Sequence, residues 1–283
     1  MIDPATIPER PDTETLWSRK LSVFSDIRGL WADRELVRTV TERDIRTRYA
    51  QSLLGILWSV LGPLLTVFVF TIFFKKIGRL STGAVPYPLQ TMAGLLPWAF
   101  FTGAVGLAST TLILNNTLIN KMRCAREIFP ISSILTSFVD LCFSSVPFIL
   151  MFIYYQFAPK PTSIWVIPIF FVELLFTLGF CLSMSTLTVY VRDVRVLLGG
   201  LLSIGLFLSP VAYPVSRIPA NLRVPFTFLN PFIAFIDGYR RALLYNLPPQ
   251  RELMIPATIT SVIVCVAGYI IFRRTEIFIA DVA

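Results

Sequence analysis

From Leu53 to Phe74 the chain runs 22 residues without one charged side chain, and five comparable apolar runs follow it between short, mostly basic connections. No other feature limits the fold as severely. About 20 apolar residues at 1.5 Å rise each cross a hydrocarbon layer of roughly 30 Å. Within that layer the backbone must satisfy its own hydrogen bonds, which a helix does internally. The runs therefore predict an all-α integral membrane protein with six transmembrane helices, near 53–74, 89–114, 131–157, 164–191, 196–213 and 253–272. Composition agrees: the chain is 55% hydrophobic and only 15% charged, where soluble domains carry about a quarter charged residues.

Ahead of the first run, residues 1–13 are polar, hold three prolines and lack the apolar core of a signal peptide. Between Thr15 and Val40, Trp17, Leu21, Phe24, Ile27 and Trp31 recur at helical spacing among Lys20, Arg28, Asp33 and Arg34. One apolar stripe with a mixed-charge opposite face suits a helix lying in the membrane interface, or one packed on a partner domain. This divides the chain into a tail with an amphipathic helix, 1–40, and a six-span domain, 41–283.

The connections supply the orientation. Arg43, Arg46 and Arg48 precede the first run, Lys121, Arg123 and Arg126 lie in 115–130, Arg192 and Arg195 in the RDVR tetrapeptide, and Arg273 and Arg274 follow the last run. With both ends inside, 16 of the 25 Lys and Arg fall on the cytoplasmic side. The segment 115–130 breaks the apolar pattern and suits a short helix ending before Pro130. From Pro214 to Arg251 six prolines interrupt a stretch that stays apolar, with Phe226, Phe228, Phe232 and Phe235 around Asn230 and Pro231. Irregular backbone of this composition is expected at membrane depth, as re-entrant helices over 230–247. Small residues one turn apart, Ala99 and Gly103, Ala104 and Ala108, Gly199 and Ser203, favour close helix packing.

Several chemistries are excluded by what is missing. No lysine follows a glycine, so there is no phosphate-binding loop of the GxxxxGK[ST] type, and no histidine is present for general-base or metal work. The net charge of +8 is spread between apolar runs rather than clustered, which is not the footprint of a nucleic-acid binder. Cys124, Cys142, Cys181 and Cys265 have no short pairing and are assigned to packing. Asp140 and Glu173 fall inside spans, where a carboxylate is costly. Neither has a basic partner in its own span, leaving a proton relay, a polar helix contact or pore lining as their roles.

The ordered blocks RDIRTRYAQSLLGILWSVLGPLL (43–65), VPYPLQTMAGLLPWAFF (85–101), NNTLINKMRCAREIFP (115–130), RDVR (192–195), SPVAYPVSRIP (209–219) and LNPFIAFIDGYRRALL (229–244) resemble the type 2 ABC exporter permeases. Within these they are most similar to the Wzm-like O-antigen permeases and their teichoic-acid relatives. The resemblance implies a bacterial inner-membrane permease with cytoplasmic termini, working as a homodimer with two copies of a separate ATPase. ATP and Mg would sit on that ATPase, leaving this chain without a cofactor, and a lipid-linked glycan would move outward between the subunits. It also implies that 115–130, with Asn116, Lys121, Met122, Arg123, Arg126 and Glu127, is the helix that docks on the ATPase, and that the stripe at 15–40 is the interface helix.

The re-entrant outer segment would hold Asn230, Phe232, Asp237, Tyr239, Arg240 and Arg241. Of these, Arg240 and Arg241 either attract the diphosphate of the lipid-linked glycan or snorkel to headgroups. Tyr87, Trp98, Phe100 and Phe101 either stack on sugar faces along the substrate path or form the ordinary aromatic belt. The competing readings are a secondary transporter or channel, and a membrane-embedded glycosyl or acyl transferase.

Overall fold

The computed structural model describes residues 29, 31–50, 55–79, 83–121, 125–158, 160–191 and 193–282. Among these, all regular structure is helical. Helix α1 spans Arg34–Tyr49 and α2 Leu57–Phe70, continued by a π-helical stretch Thr71–Ile77. Then come α3 (Tyr87–Leu114), the short α4 (Asn116–Lys121) and α5 (Ile128–Tyr154). A 3-10 turn at Pro161–Trp165 leads into α6 (Val166–Tyr190), followed by α7 (Asp193–Leu208), α8 (Ala220–Leu229) and α9 (Phe232–Arg240). A second π-helical turn, Arg241–Tyr245, precedes α10 (Arg251–Val282). Among the described residues five helical stretches are long and apolar enough to cross a membrane: Leu57–Ile77, Tyr87–Leu114, Ile128–Tyr154, Pro161–Tyr190 and Arg251–Thr275.

These boundaries bear on the sequence expectations in four places. The fifth expected span, 196–213, is a helix of 16 residues, about 24 Å long at 1.5 Å per residue. Its apolar run goes on into irregular backbone at 209–214 because Pro210 and Pro214 cannot continue a helix ladder. The amphipathic helix that is described lies at Arg34–Tyr49, so the expected boundary at 40 falls inside it. Trp31, 72% exposed, precedes it, and Trp17, Leu21, Phe24 and Ile27 lie outside the described residues. The short helix of 115–130 ends at Lys121, well before Pro130. That proline sits instead in the first turn of α5, where its missing N–H is no loss. The broken segment starts earlier than 230, with α8.

Helix α3 is the central column, buried along most of its length and packed on α5, α6, α7 and α9. Close approach is set by glycines. A Cβ added to Gly103 would meet Ser137 Oγ of α5 at 3.3 Å, and one on Gly205 of α7 would meet the Trp98 ring at 2.7 Å. The most extensive pairing is α6 with α10, where Gly179 and Gly268 put the two backbones in direct contact. In lipid there is little hydrophobic drive between helices, so small residues that let backbones touch decide which faces pair.

The two ends of the bundle are built differently. At one end Val40, Leu112, Ile119, Ile128, Phe129, Leu182, Val189 and Phe272 form a separate apolar core that ties α1 and α4 beneath α3, α5, α6 and α10. At the other end α8 and α9 form a hairpin sunk into the bundle. Phe232 at the head of α9 packs on Trp98 and Phe101, with ring centroids 5.0 and 4.8 Å away. Trp98 lies 11 residues along α3, about 16 Å below its start. Arg240, at the tail of α9, reaches Gln90 near that start. Helix α9 therefore climbs back antiparallel to α3. On the descending arm, Phe228 O of α8 accepts from Thr260 Oγ1, which is already nine residues into α10.

Candidate functional site

The end that carries α1 and α4 forms a platform. Asn115 closes α3, its Nδ2 donating to Thr111 O at 2.7 Å, and the chain turns at once into α4, whose Ile119 is buried in the platform core. Past α4, Ala125 N donates to Asp33 Oδ2 at 3.4 Å, linking this loop to the approach to α1. Glu127, buried at the head of α5, pairs with Arg273 of α10 at 3.2 Å. Tyr190 at the tail of α6 donates to Thr275 O at 3.0 Å, so α10 is tied twice at this level. Of the residues expected to dock on an ATPase, Asn116 and Arg126 are half-exposed and Glu127 is turned inward. Lys121 ends α4, and Met122 and Arg123 lie outside the described residues.

At the hairpin end, Arg240 occupies a position the sequence did not suggest. It is buried, and its guanidinium donates to four backbone carbonyls: Nε to Gln90 at 3.0 Å, Nη1 to Pro210 at 2.7 Å and Tyr213 at 2.9 Å, and Nη2 to Val211 at 2.6 Å. It does not snorkel, and four of its five N–H donors are taken by backbone carbonyls rather than held for a diphosphate. Carbonyls at 210–213 are exposed by the loss of helix there, and a planar fork satisfies several of them at once. Around it, Tyr87 donates to Ala212 O at 2.8 Å, and Gln90 Nε2 donates to Tyr245 Oη at 3.0 Å. Asn230 bridges Ser209 Oγ and the N–H of Phe232. Arg241 is part-exposed and donates to Pro248 O at 2.9 Å, while Asp237 Oδ2 is buried without a hydrogen-bond partner among the described residues.

The four aromatics read as either substrate-path or interfacial-belt residues are packed inside the subunit. Tyr87 is 1% exposed, Trp98 7%, Phe100 2% and Phe101 4%. Phe101 sits in a cluster with Trp98, Phe176, Phe180 and Phe232, and Phe100 rests on Phe170. An indole or phenyl group is as apolar as a leucine on its faces, so periodicity alone does not separate a ring that lines a passage from one that fills a core.

Both intramembrane acids have partners from other elements. Glu173 of α6 is fully buried and accepts from Tyr239 Oη of α9 at 2.6 Å. Tyr239→Phe is expected to cost about 1–3 kcal/mol by leaving a buried carboxyl oxygen without its donor. Thermal unfolding in detergent measures this, and adding Glu173→Leu should recover part of the loss; full wild-type stability of the single variant would show that the bond is dispensable. Asp140 of α5 pairs with Arg48 Nη1 at 2.6 Å and accepts from Tyr49 Oη, both at the tail of α1. Burial, aided by that hydrogen bond to Asp140, pushes the Tyr49 phenol up to about 12, so it stays a donor at neutral pH.

What these features define is a multi-pass helical membrane protein with a tied platform at one end and a pinned hairpin at the other. The chain belongs to the ABC-2 type transporter family, whose model matches residues 35–244, from α1 to the turn after α9. It is similar to the O-antigen export system permease protein RfbA of Myxococcus xanthus, 29% identical over 260 residues that cover 89% of this chain and 97% of the relative. Two proteins of Klebsiella pneumoniae with the same name are each 27% identical over 252 residues, covering 88% of this chain and 95% of the relative. Membership of this family makes the chain a transport protein rather than an enzyme.

Proposed function

We propose that this chain is the membrane permease subunit of an ATP-driven exporter that moves a lipid-linked polysaccharide, of the O-antigen, capsule or teichoic-acid kind, out of the cytoplasm. The observation that carries the reading is similarity over nearly the whole length to permeases named for O-antigen export. In this reading the platform faces the cytoplasm, in keeping with the bias of Lys and Arg toward that side. Helix α4 and the loop to α5 dock on a separate ATPase that holds ATP and Mg, and the protein sits in the bacterial inner membrane with both termini inside.

Two copies of the chain and two of the ATPase complete the transporter. Helix α7 and the irregular segment after it supply the fifth span, which brings the total to six, and α8 and α9 act as the re-entrant outer hairpin. The exposed Leu197, Leu201, Ile204 and Phe207 of α7 suit a face covered by lipid or by the second subunit. Since the inward aromatics of one subunit are taken up by packing, the glycan path is assigned to the surface between subunits. A domain order in which α1 and α4 share one core lets a push on α4 reach α3, α5, α6 and α10 together.

Purifying the chain with its co-encoded ATPase and reversing charge at Lys121, Arg123 and Arg126 tests this directly. The triple variant is expected to insert normally but to lose several-fold in recovered complex or in glycan-stimulated ATP hydrolysis, more than scattered rim charges usually yield. Unchanged complex and unchanged export would remove this loop as the contact. Transport driven by an ion gradient without the ATPase would replace the exporter by the secondary-transporter reading.

A further inference from the structure

Where α1 meets the bundle, a cavity of about 200 Å³ opens beside Trp58, lined by Arg48, Tyr49, Ser137, Asp140, Ala99 and Phe100 among others. Trp58 is 54% exposed, and the Arg48 and Asp140 side chains are 41% and 17% exposed, so the ion pair stands at the mouth. Asp140 lies 12 residues along α5, about 18 Å from its start. From the mouth the exposed apolar residues Leu57, Leu65 and Phe68 run along α2, away from the platform. On a membrane bundle such a face is covered by acyl chains.

The chemistry of the cavity is amphoteric. Arg48 uses Nη1 on Asp140, while its Nε and Nη2 make no hydrogen bond among the described residues. Asp140 takes one bond from Arg48 and one from Tyr49, which leaves lone pairs on a carboxylate that has about four acceptor sites. Deeper in, Ser137 Oγ is buried and has no hydrogen-bond partner. An acyl chain alone would leave that hydroxyl unpaired and desolvate an ion pair, which is costly. A purely anionic group would meet Asp140, and a purely cationic one Arg48.

We propose that this cavity binds the headgroup of a zwitterionic aminophospholipid, its phosphate on Arg48 and its ammonium on Asp140. Phosphate oxygens accept from Arg48 Nε and Nη2 in the two-pronged geometry a guanidinium offers. The ammonium, two carbons away, donates to the free lone pairs of Asp140, and Ser137 supplies a hydroxyl to the ester region. The lipid thereby holds the tail of α1 and the start of α2 on α5, whatever cargo the transporter carries. A headgroup with N–H donors is required, because a trimethylammonium has none.

Native mass spectrometry of the full chain, purified with its ATPase and exchanged into nanodiscs of equal phosphatidylethanolamine, phosphatidylcholine and phosphatidylglycerol, reads out the retained lipid. Phosphatidylethanolamine is expected to be enriched about tenfold over each of the others, the scale of one charge-assisted hydrogen bond. Asp140→Asn should abolish its advantage over phosphatidylcholine, and Arg48→Gln should reduce retention of all three. Ala99→Leu, which fills the cavity and spares both charges, should also abolish the enrichment and keeps the test valid if a charge variant fails to fold. Equal retention of the three lipids, retention that survives Ala99→Leu, or a dry or water-filled cavity would each overturn the proposal. Displacement of the bound lipid by stoichiometric polyprenyl phosphate would overturn it in favour of a carrier-lipid site.

Discussion

Gly179→Val and Gly268→Val should each leave little folded permease in the membrane. A Cβ at Gly179 would overlap the Val264 carbonyl and the backbone of Cys265, and one at Gly268 would overlap the backbone of Gly179 itself. Because the opposing atoms are backbone rather than the ends of side chains, no rotamer change relieves the clash. The helices must separate, along the most extensive pairing in the bundle. Overpacking a core commonly costs about 1–3 kcal/mol, and the rigid partner here puts the cost at or above the top of that range. Gly62→Ala and Gly106→Ala are the controls, since a Cβ at either meets nothing within 4 Å. Monodisperse yield after solubilisation and the thermal midpoint, at matched expression, measure the effect. If even the alanine at 179 behaves like the one at 106, the backbone contact is not what holds α6 to α10.

Arg240→Ala is the second large effect expected. It removes the donors of four hydrogen bonds, three of them buried, and leaves the carbonyls of Gln90, Pro210, Val211 and Tyr213 without them, at a cost of about 3 kcal/mol or more. Arg240→Lys is not expected to rescue, because one ammonium cannot match a planar fork that serves four carbonyls in fixed directions. Gly94 belongs to the same arrangement: a Cβ there would meet Arg240 Nη2 at 3.0 Å and Ile236 at 2.8 Å. Arg241→Ala, which loses one bond at a part-exposed position, should be mild. Hydrogen exchange over 209–213 together with thermal unfolding separates the cases. Equal behaviour of the two arginine variants would mean that Arg240 does not pin the hairpin.

The placement of Arg240 also shows where local reading stops. In the sequence it is one of two adjacent arginines in an apolar segment, indistinguishable from its neighbour. Its partners lie 27 to 30 and 150 residues away and are backbone carbonyls, which no residue type announces. Asp140 is similar: its cation is not in its own span but at Arg48, 92 residues earlier. Gly179 and Gly268 carried a weak signal, since an isolated glycine inside an apolar helix often marks a close approach. Sequence alone does not say which two glycines face each other. Helix α1 drew less notice in the sequence than the stripe at 17–31, because its packed face is short: Val40 is buried and Leu36 and Val37 are partly buried beside it.

By itself, then, the sequence determined that this chain is a helical membrane protein, roughly where its long apolar helices run, and that the backbone breaks around residues 214–250. Those properties follow from transfer into a hydrocarbon layer, which each segment meets alone, and from proline, which acts on its own neighbours. Only the tertiary structure decided which faces meet, that the aromatics of α3 are core, that α9 climbs back antiparallel to α3, and that Arg240 and Asp140 are paired. Between helices in lipid the decisive terms are backbone approach and a few polar contacts, and these depend on positions that the chain brings together only when folded.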